Sequence, residues 1–197
     1  MCKRSFDLFF SILGICVLAP LFLLIAIAIK ADSRGPVFFR QQRVGRRGSL
    51  FPIYKFRTMI DRAPIAGPQI TAGGDPRITR VGRILRKSKL DELPQLFNVL
   101  AGQMSFVGPR PEVPKYVDLF KEDFRQILEV RPGITDYAAV EYSDEETVLK
   151  GFENPEEGYV RVVLPAKIAL YRKYLGQQSL MNDIRIILAT LRKISGT

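Results

Sequence analysis

Histidine is absent from all 197 residues, and this one absence excludes a large share of enzyme chemistry. There is no Ser-His or Cys-His nucleophile pair, no histidine-ligated zinc, and no side chain that ordinarily titrates near neutrality. Acid–base work falls to Asp, Glu, Lys or Tyr. Cysteine is scarce: Cys2 and Cys16 are the only two, both near the N-terminus. They make neither a metal site nor a disulfide framework, which fits a reducing compartment for the folded part. Negative charge is the third shortage. Asp and Glu number 20 against 30 Lys and Arg, a formal charge of +10. That excess points to phosphorylated substrates, an anionic membrane surface or nucleic acid. The length suits one domain with its own core, or a smaller domain plus a membrane element.

Charge is missing altogether from Leu8 to Ile29, LFFSILGICVLAPLFLLIAIAI. An uncharged run of roughly 20 residues is long enough to cross a bilayer as a helix. A secretory signal has a shorter apolar core and a small-residue cleavage site, whereas this run passes into KADSRG. A soluble helix of this length, apolar all round, would be unusual in so small a domain. The remaining reading is a membrane helix, and its flanks constrain the topology. Lys3 and Arg4 precede it; Lys30, Arg34, Arg40, Arg43, Arg46 and Arg47 follow. Positive residues mark the cytoplasmic side, so a simple crossing leaves one basic set on the wrong face. Pro20, near the midpoint, removes a helix hydrogen bond. A re-entrant helix bent at Ala19-Pro20 satisfies both facts; a kinked crossing helix with its larger basic side inside is the alternative.

Beyond the anchor, PVFFRQQRVGRRGSLFPIYKFRTM reads as a small β-hairpin around the turn Gly45 to Gly48. Phe51, Ile53 and Phe56 supply its apolar contacts, leaving Lys55 and Arg57 for other work. Residues 61–76 read as a loop rich in Pro, Gly and Ala, without repeats. In ITRVGRILRKSKLDELPQLFNVLAG the helical spacing is interrupted between Ser88 and Pro94, which predicts two helices. The second is expected to start near Asp91, with Asp91 as its cap, and to stop at Gly102. A C-terminal helix presents Leu180, Ile184, Ile187, Leu191 and Ile194 along one face, with Arg185, Arg192 and Lys193 off it. It either packs on the core or rests on a membrane surface. The predicted class is mostly α with a small β-hairpin (α+β). Residues 1–32 are expected to form the membrane helix and residues 33–197 one further domain, including the C-terminal amphipathic helix.

Taken singly, the functional signals are weak. Asp91-Glu92 is the ordinary start of a helix, VGPRPE a rigid turn exposing Arg110, and RPGIT another turn. Together they match the needs of phosphoryl transfer: positioned cations for phosphate oxygens, a divalent metal and a nucleophile. Arginine binds phosphate through a planar fork, and flanking prolines limit the entropy lost in holding it. An aspartate can itself be the nucleophile, forming an acyl phosphate.

YKFRTM (Tyr54 to Met59), DPRITRVGRILRKSKLDELPQLFNVLAGQMSFVGPRPE (Asp75 to Glu112) and RPGIT (Arg131 to Thr135) resemble the bacterial sugar transferases. These are small monotopic polyprenyl-phosphate phosphoglycosyl transferases, and the likeness extends from KRSFDL to the C-terminal helix. The resemblance implies transfer of sugar-1-phosphate from a UDP-sugar to polyprenyl (undecaprenyl) phosphate, with release of UMP, as the first membrane step of glycoconjugate biosynthesis. It further implies Asp91 as nucleophile, Glu92 as its partner in orienting or deprotonating the acceptor or assisting the metal, and Mg2+ as cofactor with Asp91 as its ligand. Charge and motif position nominate Lys55, Arg57, Arg86, Arg110 and Arg131 as phosphate-binding cations. The family also implies the re-entrant topology, placing the catalytic domain on the cytoplasmic face of the bacterial inner membrane against anionic lipids. This is expected to be the minimal catalytic form, and a homo-oligomer is compatible with the sequence.

The chain departs from the family after RPGIT, where Asp136 and Tyr137 replace a Gly-Trp-Ala-Gln type continuation. Residues 136–165 are then either part of the sugar pocket or a variable surface loop. Lys89 stands where serine or threonine is more usual. The competing expectation is a membrane-tethered basic binding protein without catalysis; no nucleic-acid motif supports a nucleic-acid partner.

Overall fold

The computed structural model describes residues 2–60, 75–142 and 145–196. The first fourteen residues of the expected loop 61–76 lie outside them. Helix α1 (Cys2–Asp32) runs without interruption through Pro20. It is followed by the hairpin β1 (Phe38–Val44) and β2 (Leu50–Phe56), paired antiparallel with Phe38 opposite Phe56 and Val44 opposite Leu50. Phe51 and Ile53 are buried, as the alternation predicts, and Phe56 is buried out of phase with them at the strand end. Next come α2 (Arg80–Lys87) and α3 (Gln95–Leu100), with Gly102 in the left-handed region just past the end of α3.

Helix α1 is less uniform than its composition suggests. Asp7, Ser11, Ile25 and Ile29 are buried, Gly14 approaches Leu96, and Phe22 packs edge-on against Phe56 and Phe97. These positions recur at helical spacing and form one face laid against the domain. Phe9, Ile12, Val17, Leu23, Leu24 and Ile27 on the other face are exposed. Both ends are gripped by the same body. At the start, Lys3 reaches the Val107 carbonyl (2.9 Å), Tyr174 and Asp183; Arg4 binds the Val99 and Leu100 carbonyls; Asp7 accepts from the Ser105 hydroxyl and the Phe106 N–H. At the far end, Asp32 accepts the Val81 N–H at 3.0 Å, and Arg57 donates to the carbonyls of Ile29, Ser33 and Arg34.

Strand β3 (Ser105–Val107) pairs in parallel with β4 (Gly133–Thr135). A parallel pair needs a crossover, which α4 (Pro114–Leu119) and α5 (Lys121–Ile127) supply. The short helices α6 (Tyr137–Glu141), α7 (Glu145–Lys150) and α8 (Pro155–Gly158) lead through a π turn at Tyr159–Val163 into α9 (Leu164–Gly176). The main core gathers Tyr116, Phe124, Ala138, Leu149, Tyr159, Leu164 and Tyr171. Residues 136–142 and 145–165 thus contribute to the core, through Ala138, Leu149, Tyr159 and Leu164, rather than forming a surface loop.

Helix α10 (Leu180–Ser195) ends the chain, bounded by the Ser179 cap and Gly196. Its packed face is rotated from the expected apolar stripe. Asp183 and Ile186 are buried and Thr190 bonds Thr135, while Leu191 and Ile194 are exposed. Polar anchoring sets this rotation, because Asp183 is held by Lys3 and by the Tyr174 hydroxyl (2.9 Å). The class is as expected: mostly helical with small sheets, and one long apolar N-terminal helix.

Candidate active site

Asp91 does not cap a helix. Lys89 adopts a left-handed conformation (φ 56°), and Leu90–Glu92 form one 3-10 turn before α3 begins after Pro94. Pro94 has no N–H, so the i→i−4 bond to the Leu90 carbonyl is missing. The Leu93 and Leu96 amides instead reach back three residues, to Leu90 and Leu93. A left-handed lysine costs about 1 kcal/mol, a strain that recurs at functional sites.

This turn places two adjacent carboxylates in opposite situations. Glu92 is fully engaged: Lys55 Nζ lies 2.8 Å from Oε1, and Arg110 Nη2 and Nη1 reach Oε1 and Oε2 at 2.5 and 3.0 Å. Burial opposes its ionisation, but the Arg110 guanidinium and Lys55 ammonium hold its carboxyl well below the usual range. Asp91 is 8% exposed, and no hydrogen bond or ion pair engages its carboxylate among the described residues. Burial pushes its carboxyl up; Lys55 pulls it down, Glu92 raises it again, and Arg86 and Lys89 lower it. The result is a carboxylate unpaired within a ring of cations.

The predicted cations divide into two groups. Lys55 and Arg110 meet at Glu92, and Arg86 acts electrostatically on Asp91 while its Nε bonds the Thr58 hydroxyl at 3.0 Å. Arg110 also donates to the Ile134 carbonyl (3.0 Å), which uses three of its five N–H groups and leaves its side chain 26% exposed. Arg57 and Arg131 are placed elsewhere. Arg57 is 5% exposed and turned onto the end of α1. Arg131 donates Nε to the Gly102 carbonyl at the opposite end of α3 from Asp91.

Behind Arg110 lies an ionic cluster that charge and motif did not single out. Glu112 accepts from the Tyr159 hydroxyl (2.8 Å) and from Lys167 Nζ (3.2 Å), and Lys167 also binds Glu145 (3.1 Å). Burial opposes the charge of Glu112, yet Lys167 and Arg43 keep its carboxyl low. The available signal was Lys167 itself, a cation among Leu164, Ile168, Tyr171 and Tyr174 on one buried helical face.

The side chain that could hold a magnesium ion is Asp91. Among the described residues no three His, Cys, Asp or Glu side chains cluster as an ion cage. Magnesium, however, usually takes only one or two carboxylates, with substrate phosphates and water completing its shell. The unpaired Asp91 carboxylate offers that single ligand; Glu92, already bonded to two cations, does not.

Sequence comparisons give the relationships of the chain. The chain is 40% identical over 198 residues to the undecaprenyl-phosphate glucose phosphotransferase of Komagataeibacter xylinus, covering 97% of this chain and 35% of that protein. It is 39% identical over 199 residues to the UDP-N-acetylgalactosamine-undecaprenyl-phosphate N-acetylgalactosaminephosphotransferase of Aeromonas hydrophila, covering 98% of this chain and 43% of that protein. The chain thus spans less than half the length of these two relatives. The exopolysaccharide production protein PSS of Rhizobium leguminosarum bv. phaseoli is 40% identical over 197 residues, covering 96% of this chain and 92% of that protein. The family described as bacterial sugar transferase matches residues 1–197, and the chain belongs to that family.

Proposed function

We propose that this chain transfers sugar-1-phosphate from a UDP-sugar to polyprenyl phosphate in the cytoplasmic membrane. The observation that carries the reading is the unpaired, buried Asp91 carboxylate among cations, beside a Glu92 committed to holding Lys55 and Arg110. An Asp91 oxygen attacks the β-phosphorus, and the bond from that phosphorus to the oxygen bridging the two phosphates breaks. UMP leaves with the electron pair, and the sugar phosphate stays on Asp91 as an acyl phosphate. An oxygen of the lipid phosphate then attacks the same phosphorus, and the Asp91–phosphorus bond breaks to restore the carboxylate. Lys55, Arg86 and Arg110 neutralise the oxygens on which charge gathers. Glu92 positions cations and is a poor base, since its carboxyl is held low. Magnesium, when bound at Asp91, supplies further neutralisation of the diphosphate.

Helix α1 supports the membrane part of the reading. A folded domain that grips both ends of one helix cannot have a bilayer between them. The exposed apolar face dips into the membrane while the basic flanks stay on one side, facing anionic lipids. With Cys2 and Cys16 replaced by serine, Ser5→Cys and Arg34→Cys are expected to react with an impermeant thiol reagent from the same side of sealed vesicles. Labelling from opposite sides overturns the re-entrant topology.

The reaction is tested with detergent-purified protein, magnesium, undecaprenyl phosphate and a panel of UDP-sugars. One member of the panel is expected to give UMP and a lipid diphosphate sugar. Sustained UMP release at the same rate without lipid would make the protein a hydrolase, and no UMP with any UDP-sugar would sink the reading.

A further inference from the structure

The parallel pairing of β3 and β4 brings two loops out at the same edge, because parallel strands share their carboxyl ends. One loop carries Arg110, three residues past β3; the other begins with Asp136, directly after β4. Asp136 is 1% exposed. Its Oδ1 accepts the Ala139 N–H at 2.7 Å, capping α6, and its Oδ2 accepts the Arg110 main-chain N–H at 3.3 Å. The Arg110 guanidinium also feels the Asp136 charge, after that of Glu92. The other groups facing Asp136 are Lys167, Tyr171 and Tyr174, all on α9. From α10, Thr190 bonds the neighbouring Thr135 hydroxyl at 2.6 Å.

We propose that Asp136 is the positioning residue for Arg110: it fixes the main chain of the phosphate clamp and lends its guanidinium a second buried negative charge. The proposal rests on the reading of Arg110 as a phosphate ligand. A capping carboxylate alone would need only one oxygen; here the second is turned to the residue whose side chain enters the site. Burial raises the Asp136 carboxyl to about 6, against the pull of the Ala139 N–H and Arg110. At neutral pH it is therefore charged, and it becomes neutral as the medium turns mildly acidic. Clamp strength is expected to fall with it.

Asp136→Asn separates the two oxygens. The amide oxygen still caps α6, but the amide nitrogen cannot accept from Arg110. The first measurement needs no substrate: a folding double-mutant cycle of Asp136→Asn with Arg110→Gln at neutral pH. The Arg110 main-chain N–H survives in the glutamine variant, so the cycle reads the guanidinium–carboxylate attraction alone. Coupling on the order of fivefold in the folding equilibrium constant is expected, and additivity overturns the charge that Asp136 is proposed to lend the guanidinium. The second measures UDP-glucose and UDP-N-acetylgalactosamine binding in an Asp91→Asn background, which blocks turnover. Asp136→Asn is expected to weaken binding on the order of tenfold and to remove the loss of affinity seen as pH falls through about 6. Binding and pH profile unchanged by Asp136→Asn also overturn the proposal. Coupling to Arg110, with neither nucleotide bound by the Asp91→Asn protein, upholds the charge lent to Arg110 and counts against its reading as a phosphate clamp.

Discussion

Asp91→Asn is expected to lower UMP release by about 10⁴-fold or more, abolish the covalent phosphosugar adduct, and at the same time make the protein more stable. The two effects have one cause. Asp91 is buried and its carboxylate has no partner among the described residues, so the folded state bears the cost of a desolvated charge. Its folded carboxyl is raised above the unfolded value, and the sign follows. Below the unfolded value both states are protonated and the penalty is absent; it grows as pH rises from the unfolded value to the raised folded value, and is complete above the latter. The asparagine variant escapes the penalty, gaining about 1 kcal/mol and a few degrees in Tm at neutral pH. The gain should vanish in acid. Magnesium should narrow it by stabilising the wild-type protein and not the variant. A variant that keeps its turnover removes Asp91 as nucleophile; one that loses activity and stability together would mean the carboxylate has a structural partner.

The sequence revealed those features that depend on neighbours in the chain. The hairpin follows from alternation around Gly45 to Gly48, and the end of α3 from Gly102. The Asp91-Glu92 pair is legible, but the partners of Glu92 are not, since two cations reach it from 37 and 18 residues away. Composition did not show which way a cation turns. Arg57 and Lys55 are two residues apart on an extended segment, yet one seals the end of α1 and the other enters the site. The buried face of α1 was written in Asp7, Ser11 and Gly14, the small and polar positions of its N-terminal half, and was masked by an apolar count. Hardest to read was the β3–β4 pair, two strands of three residues joined by a helical crossover. Periodicity needs a longer run to register, so both segments passed for turns.

That pair also sets a large stability effect for a single added methyl group. A Cβ added at Gly133 would lie 2.1 Å from the Gly108 nitrogen, 2.5 Å from the Gly108 oxygen and 2.7 Å from the Val107 carbonyl carbon. All three are main-chain atoms, so no side chain can move aside to make room. Relief requires parting the strands at their crossing, where Gly133 donates to the Pro109 carbonyl (3.0 Å), Gly108 to Thr135 (3.0 Å) and Ser105 to Pro132 (2.8 Å). Gly133→Ala is therefore expected to cost on the order of 4 kcal/mol, lowering Tm by roughly 10 °C. The damage is not general loosening. Arg110 and Asp136 leave the crossing on either side, so the clamp loses its position before the rest of the fold melts, and transfer should fail at temperatures where circular dichroism is still native. Gly176→Ala provides the contrast, since nothing lies within 4 Å of its added Cβ; there the lost freedom of the unfolded chain makes alanine neutral or slightly stabilising. If Gly133→Ala melts with the wild type and keeps its activity, the two strands do not cross this closely, and Arg110 is held by Glu92 alone.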